Sequence, residues 1–271
     1  MCIRDRTVGV VGESGCGKST TAKLILGLLK LDSGYVAFDG MNLATVTSAT
    51  LQQARAKLQF VPQNPQTSLN PRMTVAEAIA FNLRVHGWAK KDIGPRVASL
   101  LDMVGVPAAY AQRYPHELSG GQLQRVAIAR ALSTDPNLIV CDEAVSALDK
   151  SVQAQVLNLL VDLQRELGMA YLFISHDLAV VEHLSDRVVV MYLGRVVEES
   201  DAVELWRDTA HPYTAALLSS VPGPQRQRVI LSGDLPSPAN PPSGCGFRTR
   251  CPVAVEACAE VRPTEATSGS Q

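Results

Sequence analysis

No stretch of this 271-residue sequence approaches the roughly 18 consecutive apolar residues needed to cross a bilayer as a helix. Nor does it open on the long apolar segment of a secretory leader. Membrane-spanning and secreted classes are thereby set aside, and the expectation is a soluble, cytoplasmic chain that remains free to dock on a membrane protein. Neither sign of charge is in excess. A formal net charge of −1 and a pI near 6.5 leave no basic footprint, so nucleic acid is not an implied partner. Internal repeats are absent. Of six cysteines, Cys2, Cys16 and Cys141 are scattered and read as reduced, unpaired thiols. Cys245, Cys251 and Cys258 form a separate group near the C-terminus. Room at the front is short too. Only eleven residues precede Gly12, enough for one strand, and the mixed run Met1-Cys2-Ile3-Arg4-Asp5-Arg6 reads as a sequencing or assembly scar. The expectation is that a natural N-terminal segment, with its early strands, is missing.

What is abundant is apolar residue. At 46% of the chain it suffices for a sizeable core, in one large domain or one domain with an appendage. The stretch Gly12-Glu13-Ser14-Gly15-Cys16-Gly17-Lys18-Ser19-Thr20 matches the phosphate-loop pattern G-x-x-x-x-G-K-[ST] at every fixed position. It follows a strand-like run, Thr7 to Val11, and leads into a helical pattern, Thr20 to Leu29, which is the context the motif requires. Glycines let backbone N–H groups and a helix N-terminus converge on one anion. Lys18 is placed to reach β- and γ-phosphates, and the Ser19 hydroxyl to ligate Mg²⁺. The chain is expected to bind a nucleoside triphosphate.

Along the chain, strands are expected at Val8 to Val11, Tyr35 to Phe38, Leu58 to Val61, Leu138 to Cys141, Tyr171 to Ile174, Arg187 to Tyr192 and Arg195 to Glu198. Helical patterns fall at Lys18 to Leu29, after Ser48, and at Val75 to His86, Ile93 to Val104, Gly121 to Leu132, Val152 to Leu167 and Leu178 to Leu184. Alternation of this kind predicts an α/β fold on a mostly parallel sheet. The helical insertion between about residues 64 and 135 is expected to be a subdomain packed on it. Nine of the sixteen prolines lie from Pro212 onward, which predicts an extended, turn-rich tail.

Two further segments carry chemistry. Leu138 to Cys141 is an apolar strand ending in Asp142 and Glu143, about 125 residues after the phosphate loop. Asp142 suits the Mg²⁺ shell, and Glu143 can polarise an attacking water as general base. Leu118-Ser119-Gly120-Gly121-Gln122 opens another helix, with Ser119 as N-cap and two glycines baring backbone N–H groups.

The run Leu118-Ser119-Gly120-Gly121-Gln122-Leu123-Gln124-Arg125 resembles the signature motif of ATP-binding cassette (ABC) ATPases. Gln63 matches that family's glutamine loop, Ser146-Ala147-Leu148-Asp149 its D-loop, and His176 in Ile174-Ser175-His176-Asp177 its switch histidine. The resemblance covers about residues 7 to 205 and implies a P-loop ATPase whose subunits close head to tail on ATP and Mg²⁺. It implies an ATP-binding set of Gly12, Ser14, Gly15, Cys16, Gly17, Lys18, Ser19 and Thr20, joined by Ser119, Gly120, Gly121, Gln122 and Asp149. The signature residues would meet the γ-phosphate held by the partner's loop. Ser19, Gln63 and Asp142 are implied Mg²⁺ contacts, with Glu143, His176 and Gln63 as the hydrolytic set. Ser175-His176-Asp177 is no hydrolase triad, because consecutive residues cannot adopt triad geometry. Cassettes usually carry an early aromatic that stacks on adenine, and residues 1–6 hold none.

Asn64 to Val75 after Gln63, Asp142 to Asp149 and Val152-Gln153-Ala154-Gln155 are similar to ATPases of dipeptide, oligopeptide and nickel importers. So are His211-Pro212-Tyr213-Thr214 and the Cys245, Cys251, Cys258 tail. That resemblance implies a nucleotide-binding domain over 1–208 and a C-terminal extension over 209–271. It also implies two transmembrane permease subunits, a second ATPase subunit (itself or a paralogue), and indirectly an extracytoplasmic solute-binding protein. The location implied is peripheral, on the cytoplasmic face of the cell membrane. The C-x₅-C-x₆-C spacing suggests an iron–sulfur or zinc site, a 4Fe–4S cluster in full-length relatives. Both metals want four ligands and no fourth cysteine or later histidine follows, so the expected site is incomplete here. Two rival functions stand beside import: a regulatory ATP switch closing without useful hydrolysis, and a DNA-repair or ribosome-associated cassette. The intact Glu143 and His176 count against the first; the lack of a coiled-coil insertion or second cassette counts against the other.

Overall fold

The computed structural model describes residues 6–221, 229–231 and 233–263. Residues 1–5, Cys2 among them, lie outside the described residues. Eight strands are described: β1 (Thr7–Val11), β2 (Ala37–Phe38), β3 (Met41–Asn42), β4 (Leu58–Val61), β5 (Leu138–Asp142), β6 (Ala170–Ile174), β7 (Arg187–Tyr192) and β8 (Arg195–Asp201). Six of them form one sheet in the order β4-β5-β6-β1-β7-β8, parallel except for β8, which turns back antiparallel on β7. β2 and β3 make a separate antiparallel pair. The structure is the expected α/β fold with a mostly parallel core sheet.

The central strands are apolar throughout because both sheet faces are covered. With a period of two, alternate residues feed two cores. Tyr171 and Phe173 of β6, with Ile139 and Cys141 of β5, point to the side shared with the helices of residues 65–132. Leu172, Ile174 and Val140 point the other way, with Val8 and Val10 of β1 and with Ala22 and Leu26 after the phosphate loop. Helices at Pro65–Ser68, Val75–Val85, Lys90–Met103 and Gly120–Leu132 fill the connection between β4 and β5.

Two expectations need correction. The Tyr35 to Phe38 strand is only Ala37–Phe38, paired with the unforeseen Met41–Asn42. The proline-rich tail is not free of helix, because Pro212–Ser219 and Ala257–Glu260 lie within it. Pro212 opens the first of them, where its missing N–H has no intrahelical acceptor and its fixed φ suits the first turn. Tyr213, Leu218 and Phe247 of the tail are buried in the same core as β6 and β7.

Candidate functional site

β1 delivers the chain to the loop of residues 12–17, and the helix Lys18–Ile25 carries it away along the sheet. Gly12 has φ 153° and lies so close to β7 that a Cβ would collide with the Met191 carbonyl oxygen. No larger residue fits. The Lys18 side chain is buried, and its ammonium donates to the carbonyls of Gly12 at 2.8 Å and Glu13 at 3.0 Å. A third, weaker contact runs from the ammonium to Cys16 Sγ at 3.8 Å, so all three of its donors are held within the loop, the sulfur contact being the easiest to exchange for an anion. Ser14, Gly15, Ser19 and Thr20 are exposed along the loop and the first turn. The Cys16 side chain points inward instead, where burial pushes its thiol pKa up, so only its backbone can face a ligand. Gly17 precedes the helix with no side-chain cap over the first N–H groups.

The Ser19 hydroxyl donates to Asp142 Oδ1 at 3.0 Å, joining the first helix to the end of β5. Burial pushes the Asp142 carboxyl above the ordinary carboxylate range, and the Ser19 hydrogen bond pulls it back in part. Glu143 adopts φ 48°, a left-handed conformation that costs a non-glycine residue about 1–3 kcal/mol. Its N–H donates to the Ile174 carbonyl at 2.9 Å, and its carbonyl accepts from Ser146 Oγ at 2.9 Å. Gln63 Nε2 donates to Glu143 Oε2 at 2.7 Å, while His176 Nδ1 stands 3.3 Å from Oε1. Three residues 113 positions apart in sequence (63 to 176) therefore meet on one carboxylate. Gln63 is grouped with Glu143, not with the Ser19–Asp142 pair, since its amide donors face Glu143 and Ser146 Oγ.

Ser119, Gly120, Gly121 and Gln122 sit apart from this cluster. Ser119 Oγ accepts the Gln122 N–H at 3.4 Å and Gln122 Oε1 accepts the Ser119 N–H at 3.0 Å, a reciprocal cap on the Gly120–Leu132 helix. None of the hydrogen bonds these four residues make reaches residues 12–20. Asp149 caps the neighbouring helix, Lys150–Leu167, by accepting the Val152 N–H at 2.9 Å. The two tips touch: Gly121 packs against Val152 of that helix.

For Cys245, Cys251 and Cys258 the sequence predicts an incomplete metal site, and the described residues supply nothing to complete it. Among the described residues no three His, Cys, Asp or Glu side chains are grouped to hold a metal ion. Cys245 and Cys258 are joined through the backbone, N–H to carbonyl at 2.8 Å, while Cys245 and Cys251 pack against the apolar core. All three are free. The donor set does not fit an iron–sulfur cluster or zinc, and no chemistry is assigned to one.

Sequence reasoning missed Glu13, Tyr213 and Arg250. The Glu13 N–H donates to the Tyr213 hydroxyl at 2.8 Å, and Arg250 forms two hydrogen bonds to the Glu13 carboxylate. Glu13 fills a motif position open to any residue, and Arg250 lies 237 residues away, so no local pattern announces the pair.

Residues 2–146 match the ABC transporter family and residues 197–258 the C-terminal region of oligopeptide/dipeptide transporters. The chain is 53% identical over 265 residues to the oligopeptide transport ATP-binding protein OppF of Salmonella typhimurium, covering 95% of this chain and 79% of that one. It is 50% identical to a putative peptide import ATP-binding protein of Brucella ovis, covering 96% and 84%. Among solved structures, the ATP-binding cassette MJ0796 bound to ADP and Pi superposes with TM-score 0.67 at 31% identity, covering 74% of this chain and 88% of that one. For cbiO1 of Clostridium perfringens, part of an ABC transporter complex, the TM-score is 0.69 at 29% identity, covering 76% and 80%. With its phosphate loop, its acid-ended strand and this breadth of likeness, the chain belongs to the ABC transporter family of ATP hydrolases and carries the oligopeptide/dipeptide transporter C-terminal region.

Proposed function

We propose that this chain is the ATP-hydrolysing subunit that energises import of short peptides or related small solutes across the cytoplasmic membrane. The observation that carries it is the meeting of Gln63 and His176 on Glu143, one residue beyond the Asp142 that pairs with Ser19. Residues 1–208 act as the nucleotide-binding domain, with the helices of about 64–135 as its subdomain, and 209–271 as the extension.

The Lys18 ammonium and the open N–H groups of the loop and first turn hold the β- and γ-phosphates. Ser19 Oγ and Asp142 Oδ1, two hard oxygen donors 3.0 Å apart, fit Mg²⁺, which would neutralise charge on the phosphates when bound. Gln63 completes that end of the site as its amide turns from Glu143. Each Glu143 oxygen keeps a lone pair beyond its present partner, so the carboxylate can accept a proton from water attacking the γ-phosphorus. His176 supports the transferring phosphoryl group from the other side of that carboxylate.

Ser119, Gly120 and Gly121 cap the triphosphate of a second subunit, identical or paralogous, and Asp149 sits beside them at that junction. No helix among the described residues is long and apolar enough to cross a membrane. The subunit works peripherally, on the cytoplasmic face, beneath two permease subunits fed by an extracytoplasmic binding protein. A groove of about 460 Å³, lined by Leu28, Phe60 and Phe81 together with Arg55, Asn82 and Arg130, suits an amphipathic permease segment. Leu28 and Phe81 are exposed there, and Leu58 and Phe60 belong to the strand that leads to Gln63. Movement at the groove thus has a short covalent route to the γ-phosphate.

The test is Glu143→Gln in the assembled transporter. Turnover is expected to fall roughly 10²–10⁴-fold, as for a lost general base, with nucleotide still bound. A loss below about tenfold would remove Glu143 from the proposed role.

A further inference from the structure

Glu13 is the most heavily tied residue of the phosphate loop, and the roles above make no use of it. Its carbonyl accepts the Lys18 ammonium at 3.0 Å and the Cys16 N–H at 3.2 Å. Its own N–H donates to the Tyr213 hydroxyl at 2.8 Å, which turns that amide away from the anion cradle. Its carboxylate accepts from both ends of the Arg250 guanidinium, Nη1 to Oε2 at 2.7 Å and Nη2 to Oε1 at 3.0 Å. This is the planar two-pronged pairing that arginine makes and lysine cannot.

The partners are themselves fixed. Arg250 has a side chain only 9% exposed, and Tyr213 is fully buried. The Tyr213 ring packs on Tyr192 at 4.7 Å and on Phe247 at 5.5 Å between centroids, and Phe247 meets Tyr192 edge-on at 5.3 Å. Tyr192 ends β7, whose preceding residue, Met191, is the one Gly12 is pressed against. On the other side of the loop the Gly194 N–H donates to the Cys16 carbonyl at 2.8 Å. Loop residues 12, 13 and 16 are thus held by β7, the turn after it and the C-terminal region together.

Charge gives this arrangement a purpose. A carboxylate in a loop that receives a triphosphate repels its ligand unless a cation neutralises it. Lys18 is needed for the phosphates, and the other cation on Glu13 is Arg250. We infer that the C-terminal region is a positioning element of the ATP site: Arg250 and Tyr213 act through Glu13 to set the Lys18 ammonium and the loop backbone, and to cancel the one negative charge inside the loop. A disturbance of residues 245–251 therefore reaches nucleotide affinity through two side chains. The inference rests on the ATP-binding role of the loop.

The test uses the full chain and MgATP, reading Kd by calorimetry and KM and kcat by steady-state hydrolysis. Arg250→Ala is expected to raise Kd and KM roughly ten- to hundredfold, as for loss of a charge-assisted pair, with kcat changed less than about threefold. Arg250→Lys restores the charge without the fork and should fall between. Tyr213→Phe keeps the ring packing and removes only the acceptor, and should raise Kd roughly three- to tenfold. In a Glu13→Gln background the Arg250→Ala effect should shrink to less than about threefold, because no carboxylate is left unpaired. A general loss of stability would not depend on residue 13. The inference is overturned if Arg250→Ala and Tyr213→Phe bind MgATP as the parent chain does, or if Arg250→Ala loses as much with Gln at position 13. Should Arg250→Ala not fold, Arg250→Lys and Tyr213→Phe decide by the same Kd. If the parent chain itself binds no MgATP, the ATP role of the loop fails, and this inference with it.

Discussion

The helix that begins at Lys18 and the helix that begins at Gly120 both follow glycine-rich turns, but their first N–H groups are treated oppositely. Gly17 precedes the first with no side-chain cap, while Lys18 and Ser19 are braced from the side by loop carbonyls and Asp142. Ser119 and Gln122 close the second on itself with a reciprocal cap. A helix end has four orphan N–H groups and carries partial positive charge. The first tip leaves its orphans to a phosphate. The second has already satisfied part of its own, and so can add to a phosphate gripped elsewhere but is poorly equipped to capture one alone. On the function proposed above, the difference predicts an order: the loop binds first, and the signature tip joins when a second subunit presents its loaded site.

The largest effect should come from breaking the first tip. Lys18→Ala removes the charge and both internal hydrogen bonds to Gly12 and Glu13. Charge-assisted bonds contribute about 1.5–3 kcal/mol each, so MgATP affinity should fall on the order of a hundredfold. Equilibrium dialysis of the isolated chain measures it. A fall under about threefold would mean the loop holds phosphate by its backbone alone, and the contrast between the tips would dissolve.

The next change probes how tightly the second tip is built. Gly121→Ala has two opposed consequences. Propensity favours alanine over glycine in a helix by at most about 1 kcal/mol. Against this, the new Cβ collides with Cγ1 of Val152, a β-branched side chain with little freedom at χ1. Overpacking of this kind costs about 1–3 kcal/mol, so the net sign should be destabilising. The thermal midpoint should drop by a few degrees. A rise would show that Gly121 is not packed against Val152.

How far these tips could be read from the letters alone differs in the same way. The phosphate loop, Asp142, Glu143 and the buried strands behind them announce themselves because each obeys a local rule: a fixed spacing, or an unbroken apolar run between covered faces. β4 and β7 fall where the pattern puts them, Leu58–Val61 and Arg187–Tyr192. The convergence of Gln63 and His176 on Glu143 could be named only by resemblance, since its geometry depends on a left-handed residue at 143 that no propensity foretells. The cysteine spacing could not decide a metal site for a related reason. Spacing places thiols along the chain, but tertiary packing decides where they point, and here Cys245 and Cys251 join an apolar core. Arg250 and Tyr213 gave no signal because their partner is more than 190 residues away.

Ser119→Ala is the mildest change and the one that separates the two tips most cleanly. It deletes an N-cap oxygen that accepts the Gln122 N–H, which costs about 1 kcal/mol of helix stability. Gln122 would keep its bond to the Ser119 backbone N–H, so the cap is halved and not abolished. For a chain of this size the thermal midpoint should fall by about two to four degrees. MgATP affinity, measured where the chain is monomeric, should shift less than about twofold, because no hydrogen bond of Ser119 reaches the loop. ATP-dependent pairing of two chains, followed by sedimentation with Glu143→Gln present to hold the nucleotide, should weaken roughly tenfold, the loss of one hydrogen bond to phosphate. If monomer affinity fell as far as pairing did, the tip would already be part of the first subunit's own site, and the order of events drawn from the two caps would be wrong.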